Sequence, residues 1–356
     1  YIKPKAYSWL KVKYNDLAIE YLKKYCEIPS PSGSEDEIRM SIIDDIKDFA
    51  DEIKTDNLGN LIVFKKGKNR AEKKVMLDAH MDEIGFMITG IDDKGYLRFD
   101  NLGGIDGKVL FGKRVKINGF YGVIGGAAVH LLDADERKKV QKNDSLRIDI
   151  GAKDKADAMK KVKIGDTAVF DTEFKDLGEN IAARGLDDKI GCAIMVSLIR
   201  SDLEFDTYFS FSVQEEIGCR GANVTAYSIA PDCAITVEST TAADIYGVPD
   251  DKTVCKVGSG AALSLMDNGT LYNKALVHKV LENAEKNGIH AQLKTAVAGG
   301  TNAGSIHKSR NGVKTVNMAL PCRYIHSGYC VASKDDAENL FKLVKNTAEN
   351  MAQGNL

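Results

Sequence analysis

The sequence predicts an α/β protein whose layered sheet is interrupted by a small β-rich insertion, and three observations carry that prediction. Up to residue 83, helix-patterned segments alternate with short apolar runs that read as strands. From Ile84 to Thr167 the pattern changes to short β-like pieces punctuated by glycine, as expected of a small barrel or sandwich. After Asp171 the α/β alternation returns. Residues 1–83 and 168–356 therefore read as one discontinuous α/β domain, and 84–167 as its insert.

The elements follow in order. Leu17, Tyr21 and Leu22 lie at helical spacing between Asn15 and Cys26. Pro29 to Ser34 breaks the chain, and Ser34 with Glu37 predicts a capping box for a helix running through Met40 and Ile43 towards Phe49. Asn57-Leu58-Gly59-Asn60 is a turn, Leu61–Phe64 a strand, and Val75–Ala79 a strand ending at His80-Met81-Asp82-Glu83. Within the insert, Phe86–Thr89, Tyr96–Phe99, Arg114–Ile117 and Gly122–Gly125 read as strands, with turns at Asp93-Lys94-Gly95 and Asn118-Gly119. The charged stretch Asp133–Asp144 is expected to be a loop. Beyond it, Ile190–Ile199 reads as a buried helix, Tyr208–Val213 and Ala234–Val237 as strands, and Asp335–Met351 as an amphipathic helix. No internal repeat is evident.

Composition narrows the function. The apolar share of 44% and charged share of 28% are those of an ordinary globular chain, so disorder is not expected. A net charge of -2 over 356 residues, with Lys65-Lys66 and Arg137-Lys138-Lys139 balanced by nearby acids, forms no basic stripe for nucleic acid. Seven cysteines with no C-x-x-C pair argue against a structural thiolate zinc site and for a reducing compartment. No run is long enough to span a bilayer, and Tyr1-Ile2-Lys3-Pro4-Lys5 holds no signal-peptide core, so a cytoplasmic protein without membrane or nucleic-acid partners is expected.

Five places put a metal-ligand type at a strand end or tight turn. In His80-Met81-Asp82-Glu83, residues two apart face the same way, so His80 and Asp82 can address one site, with Asp82 available to fix the imidazole tautomer. In Asp187-Asp188-Lys189, Asp188 suits the N-cap of the following helix, which leaves Asp187 for a cation. Glu215 and Glu216 directly follow an apolar strand, where adjacent carboxylates are awkward to bury without a compensating cation. Glu238 also follows an apolar strand, and His326 offers a second imidazole. His130, His278, His290 and His307 are read as ordinary core or surface residues. Three carboxylates and two imidazoles suit two divalent ions sharing one carboxylate. Mixed N/O ligation favours zinc, cobalt or manganese.

With these residues in view, the sequence resembles metallopeptidase family 42, the tetrahedral (TET-type) and glutamyl aminopeptidases. The likeness covers nearly the whole chain: Ala79-His80-Met81-Asp82-Glu83-Ile84-Gly85, Leu186–Gly191, Gln214–Ala222 and Pro321–Ser327 stand in the family's order. The resemblance implies a zinc-aminopeptidase-like α/β/α catalytic domain with a PDZ-like barrel that serves dimerisation. It implies His80 and Glu238 on one metal, Glu216 and His326 on the other, and Asp187 as the bridge. Glu215 would be the general acid/base and Asp82 the support for His80; the substrate-binding residues stay unassigned. It further implies peptide substrates and a dimer-based homo-oligomer, a tetrahedral dodecamer. Two positions depart from the usual pattern. Glu238 stands where Asp is commoner, and Thr301-Asn302 where Thr-Asp is usual.

The expected chemistry is a metal-activated water whose proton passes through Glu215 to the leaving amine. Two competing readings stand beside it. A glycoside hydrolase of endoglucanase type needs carboxylates roughly 5 Å or more apart across the sugar bond, which adjacent Glu215 and Glu216 do not easily supply. Few aromatics and a single tryptophan, Trp9, also speak against a sugar cleft. A non-catalytic binding protein on the same fold is the other alternative, and the full ligand set together with Glu215 weighs against it.

Overall fold

The computed structural model describes residues 14–135, 138–139, 141 and 143–356. The stretch Tyr1–Lys5, Trp9 and Arg137 lie outside the described residues.

The chain opens with helices α1 (Tyr14–Glu27) and α2 (Asp36–Ile46). The expected Ser34–Glu37 capping box does not form: Glu35 sits at the cap with no side-chain cap bond. Ser34 Oγ instead accepts from Thr167 Oγ1 at 3.1 Å. Glu35 Oε1 accepts the N–H groups of Gly33 at 2.8 Å and Gln214 at 3.2 Å. Partners distant in sequence outcompete the local motif here.

Strands β1 (Glu52–Thr55), β2 (Leu61–Lys65) and β3 (Val75–His80) follow. The chain then builds β4 (Gly85–Ile91), β5 (Leu97–Leu102), β6 (Arg114–Ile117), β7 (Phe120–Gly125) and β8 (Arg147–Asp149), the short helix α3 (Lys155–Ala158) and β9 (Thr167–Phe170). These six strands close into a barrel in the order β4-β5-β8-β7-β6-β9. The barrel has its own core, in which the ring of Phe86 meets those of Phe99 and Phe170 edge-on at 5.2 Å. Closure removes the exposed edges that so small a sheet would otherwise present.

Beyond the barrel come β10 (Lys175–Leu177), β11 (Asn180–Ala183), α4 (Leu186–Ile199), β12 (Thr207–Ser212), α5 (Arg220–Ile229) and β13 (Cys233–Thr241). The chain ends with β14 (Ala261–Leu263), α6 (Lys274–Lys286), β15 (Ala291–Leu293), α7 (Ala303–Ile306), β16 (Lys314–Arg323), β17 (Cys330–Ser333) and α8 (Lys334–Ala352). The main sheet runs β1-β2-β12-β3-β13-β16-β17-β11-β10, and its centre, β12-β3-β13-β16, is parallel. β13 is more than twice the length expected from Ala234–Val237, because pairing with β16 carries it on to Thr241.

Helices cover both faces, giving an α/β/α layer. On one side Val75, Leu77, Ile235 and Val237 pack with α1, α4 and α8. On the other, Met76 and Ala234 meet α5 and α7. Covered on both faces, β3 is buried along its whole length and β13 along all but its last residue. α4 is buried on all sides, whereas α8 keeps a polar outer face. Among the described residues no helix is long and apolar enough to cross a membrane.

Candidate metal centre

The parity of the central strands decides where the site lies. His80 and Glu238 stand an even number of residues from Met76 and Ala234, so they share the α5/α7 face of the sheet. His80 ends β3, and Glu215 and Glu216 lie just past the end of β12, which pairs Ser212 with His80. Asp187 is the second residue of α4 and His326 sits between β16 and β17. The site thus forms at the carboxyl ends of parallel strands, where open α/β sheets place their ligands.

The structure brings all five sequence-predicted ligands together as two overlapping donor sets. One is His80, Asp187 and Glu238; the other is Asp187, Glu216 and His326, with the donor atoms of each set within 4.8 Å of one another. His80 Nε2 lies 3.5 Å from Asp187 Oδ1 and 3.6 Å from Glu238 Oε2. His326 Nε2 lies 3.3 Å from both Asp187 Oδ2 and Glu216 Oε2. Asp187 therefore presents one oxygen to each set. Its neighbour Asp188 caps the helix instead, accepting the N–H of Gly191 at 3.0 Å and that of His80 at 3.3 Å.

Each imidazole is aimed by a carbonyl. His80 Nδ1 lies 2.9 Å from the Asp82 carbonyl oxygen, and His326 Nδ1 lies 2.9 Å from that of Gly104 in the barrel. Donation from Nδ1 leaves each Nε2 lone pair facing the cluster, the tautomer a metal ligand needs. The carboxylate of Asp82, 3.5 Å from His80 Nδ1, has a second job. It accepts the N–H groups of Glu215 at 2.9 Å and Glu216 at 3.1 Å and the Ser32 hydroxyl at 2.6 Å, fixing the turn that carries both glutamates. Behind it, buried Glu83 pairs with Arg184 and with the fully buried Lys189 at 2.7 Å.

Electrostatics show what the cluster lacks. Burial pushes Glu216 and Glu238 well above the ordinary carboxyl range and Glu215 to about 7. Burial opposes charge on the imidazoles as well, but Asp187 with the surrounding carboxylates outweighs it, raising His80 well above its usual value and His326 to about 9. Glu216 Oε1 is buried without a hydrogen-bond partner. Crowded carboxylates, an orphaned oxygen and two imidazoles with inward-facing Nε2 atoms fit divalent cations, which would compensate the charge and take up the free oxygen. All seven cysteines are free and none joins either set. Cys219 Sγ donates to Glu215 Oε1 at 3.4 Å, while Glu215 Oε2 faces His80 Nε2 at 4.0 Å.

Sequence reasoning assigned no role to Gly104, Ser32 or Cys219. Gly104 reaches His326 from 222 residues away, and no local pattern announces such a contact. Asn302 stood out only as a departure. Its Nδ2 donates to Asp78 Oδ1 and Ser212 Oγ, both at 2.8 Å, and its N–H lies 3.4 Å from Glu238 Oε1. Beside His326 a cleft of about 960 Å³ opens between Asp106–Arg114 of the barrel and Tyr324–Tyr329.

Comparison with known proteins shows which family the chain is similar to. The family model for M42 glutamyl aminopeptidase matches residues 59–343. The chain is 36% identical over 345 residues to a lysyl aminopeptidase of Pyrococcus furiosus, covering 93% of this chain and 97% of that one. A TET aminopeptidase from a marine-sediment Thaumarchaeota archaeon superposes with a TM-score of 0.89 at 33% identity, covering 95% of this chain and 99% of the other. The TET1 peptidase of Pyrococcus horikoshii, which can assemble into a tetrahedron or a large octahedral shell, gives 0.82 at 38% identity, covering 93% and 99%.

Proposed function

This chain belongs to the M42 glutamyl aminopeptidase family and is a peptide hydrolase of aminopeptidase type, and from that membership we propose how its residues carry out the reaction. Membership implies divalent metal use. In our reading two ions bind, zinc or cobalt with manganese as the further option. His80 and Glu238 would hold one, Glu216 and His326 the other, and Asp187 both. The observation that carries this is Asp187, whose two oxygens face separate donor sets. Bound there, such ions supply Lewis acidity to the scissile carbonyl and acidify the attacking water.

The chain's own groups do the rest. Glu215 takes the proton from the attacking water and delivers it to the leaving amine; burial raises this carboxyl above its ordinary range, which suits a group that must return the proton it accepts. The Cys219 thiol occupies Oε1, which leaves Oε2 to handle the proton. Asp82 is a positioning residue that holds Glu215 and Glu216 in register through their N–H groups and offers its carbonyl to His80. The cleft beside His326 has room for the peptide beyond its first residue, and the buried cluster faces the free N-terminus.

We take residues 1–83 and 168–356 as the catalytic domain and 84–167 as a dimerisation domain. The exposed Phe120, Tyr121 and Val123 on the barrel support an interface there. A homo-oligomer built from dimers, a tetrahedral dodecamer in the cytoplasm, is the assembly we propose. The test is hydrolysis of aminoacyl-amide substrates by chelator-stripped protein restored with zinc, cobalt or manganese. Activity restored by metal and confined to free N-termini is expected. Folded protein that hydrolyses nothing with any of the three would refute the mechanism.

A further inference from the structure

The cleft beside His326 is walled by aromatic rings to which the mechanism above gives no task. Phe111 is 53% exposed, Tyr324 56% and Tyr329 41%, and all three line the cleft. Apolar side chains exposed singly are common on protein surfaces and call for no account. Three large rings around one concave opening differ, because an apolar group stacked among them removes surface from water that the folded chain leaves wet. The charges that line the same cleft are largely answered within it. Arg114 lies 3.1 Å from Asp171, and Lys108 lies 3.9 Å from Asp106.

The turn that carries His326 sets these rings against the metal centre. Tyr324 and His326 both take left-handed backbone conformations, with φ of 59° and 58°, a placement that costs non-glycine residues and recurs at functional sites. The Ser327 hydroxyl ties the turn together, 2.7 Å from the Tyr324 carbonyl oxygen and 2.9 Å from that of Tyr329. Gly328 lets the turn rest on the barrel, where a Cβ would lie 3.6 Å from the Phe170 ring. Phe111 lines the barrel wall of the cleft. His80 and Glu238 are buried, whereas the His326 side chain is 34% exposed, so a peptide held by its N-terminus at the cluster leaves over His326. Two residues of chain span at most ~7 Å, which bounds the distance from His326 to Tyr324. An extended peptide advances ~3.4 Å per residue, so the residue after the scissile bond arrives at this turn.

We propose that Tyr324 and Phe111 form a subsite for the second residue of the peptide and give the enzyme a preference for an aromatic side chain there. This deepens the aminopeptidase reading of the site and rests on it. The incoming ring stacks between the two walls of the cleft and covers apolar surface on both. A glycine at that position covers none of it, and a charged side chain would be drawn out of water with its natural partners already engaged.

The experiment uses the full metal-restored chain and dipeptide amides that share one N-terminal residue, the one released fastest, and differ in the second: Phe, Tyr, Leu, Gly, Asp or Lys. Wild type is expected to favour Phe over Gly in kcat/KM by at least ~10-fold, the low end of what burying a phenyl ring is worth, with Leu between them. Tyr324→Ala and Phe111→Ala should each lower the Phe-to-Gly ratio by about 3-fold or more, whereas Tyr324→Phe, which keeps the ring, should preserve it. Each ratio compares two substrates on one protein, so a general loss of activity in a variant cancels. The wild-type ratios need no variant, so misfolding of an alanine protein does not spare the proposal. A second-residue Gly, Asp or Lys turned over as well as Phe would overturn it, and so would folded alanine variants that keep the wild-type ratio. No release of the first residue from any amide would sink the aminopeptidase reading and this inference with it. Turnover indifferent to the second residue sinks only the inference.

Discussion

Replacing Asn302 by Asp alters one atom in a buried network, and the structure says how much that should matter. Asn302 Nδ2 donates to Asp78 Oδ1 and Ser212 Oγ at 2.8 Å, and both Asn302 and Asp78 are fully buried. In Asn302→Asp the donor becomes an acceptor, and two carboxylates face each other out of reach of water. Losing the bond to a charged acceptor costs about 1.5–3 kcal/mol. Leaving a buried charge uncompensated costs about 3–5 kcal/mol, but the facing pair can hold a proton instead, so we expect about 2–3 kcal/mol in all at pH 8.

The pH dependence makes that prediction specific. Burial already raises Asp78 to about 6, against hydrogen bonds from Ser210, Asn302 and Ser212 that lower it. Turning the Asn302 donor into a like charge raises it further. The folded variant then binds a proton that the unfolded chain, with its carboxyl near 3.9, releases. Its stability therefore falls with rising pH, by up to about 1.4 kcal/mol per unit, until pH passes the folded pKa. The deficit relative to wild type should be small at pH 5 and should open above about 6. Urea midpoints of both proteins in chelator, at pH 5, 6.5 and 8, measure it. Equal midpoints at pH 8, or a deficit independent of pH, would refute the reasoning.

Other outcomes follow from the same geometry. Glu215→Gln should lower kcat by about 10²–10⁴-fold while calorimetry shows metal binding intact. Cys219→Ala frees Glu215 Oε1 and should move the acid limb of kcat/KM, which for wild type lies at or below about 7 because bound cations favour the ionised base. An unmoved limb would mean that the thiol contributes nothing. Without metal, Glu216, Glu238, His80 and His326 all hold protons more tightly when folded. Chelated protein should therefore lose stability steadily as pH rises from about 4.5 through 9, while metal-loaded protein changes less, as read from urea midpoints. Gly191→Ala would press a Cβ to 2.4 Å from the Val237 carbonyl and 2.5 Å from Asp188 Oδ2, and should both destabilise the fold and weaken metal binding.

What the sequence showed and what it hid have separate causes. His80, Glu216 and Glu238 were legible because each ends or follows a short strand-like segment rich in apolar residues, where a buried carboxylate or imidazole needs a partner. Asp188 was legible as a cap because capping is local. The Ser34–Glu37 motif misled because Ser34 found a partner in Thr167, 133 residues away, while Glu35 took the cap position and accepts from Gln214, 179 residues away. Asp82 was expected to fix the tautomer of His80. The nearer partner is its backbone carbonyl, while the carboxylate holds the Glu215–Glu216 turn, a division that only the tertiary meeting of β3 and β12 creates. Asn302 was visible as an oddity without a cause until Asp78 came beside it.

The carbonyl of Gly104 gives the barrel a say in the chemistry. It reaches across from the inserted segment to fix the ring of His326, so the aim of one member of the second donor set depends on how the barrel sits against the α/β layer. Ion binding and barrel seating are then two ends of one lever. Whatever grips the barrel in the orientation shown here raises the affinity of that ligand set, and a cation captured there stiffens the seating by the same free energy in return.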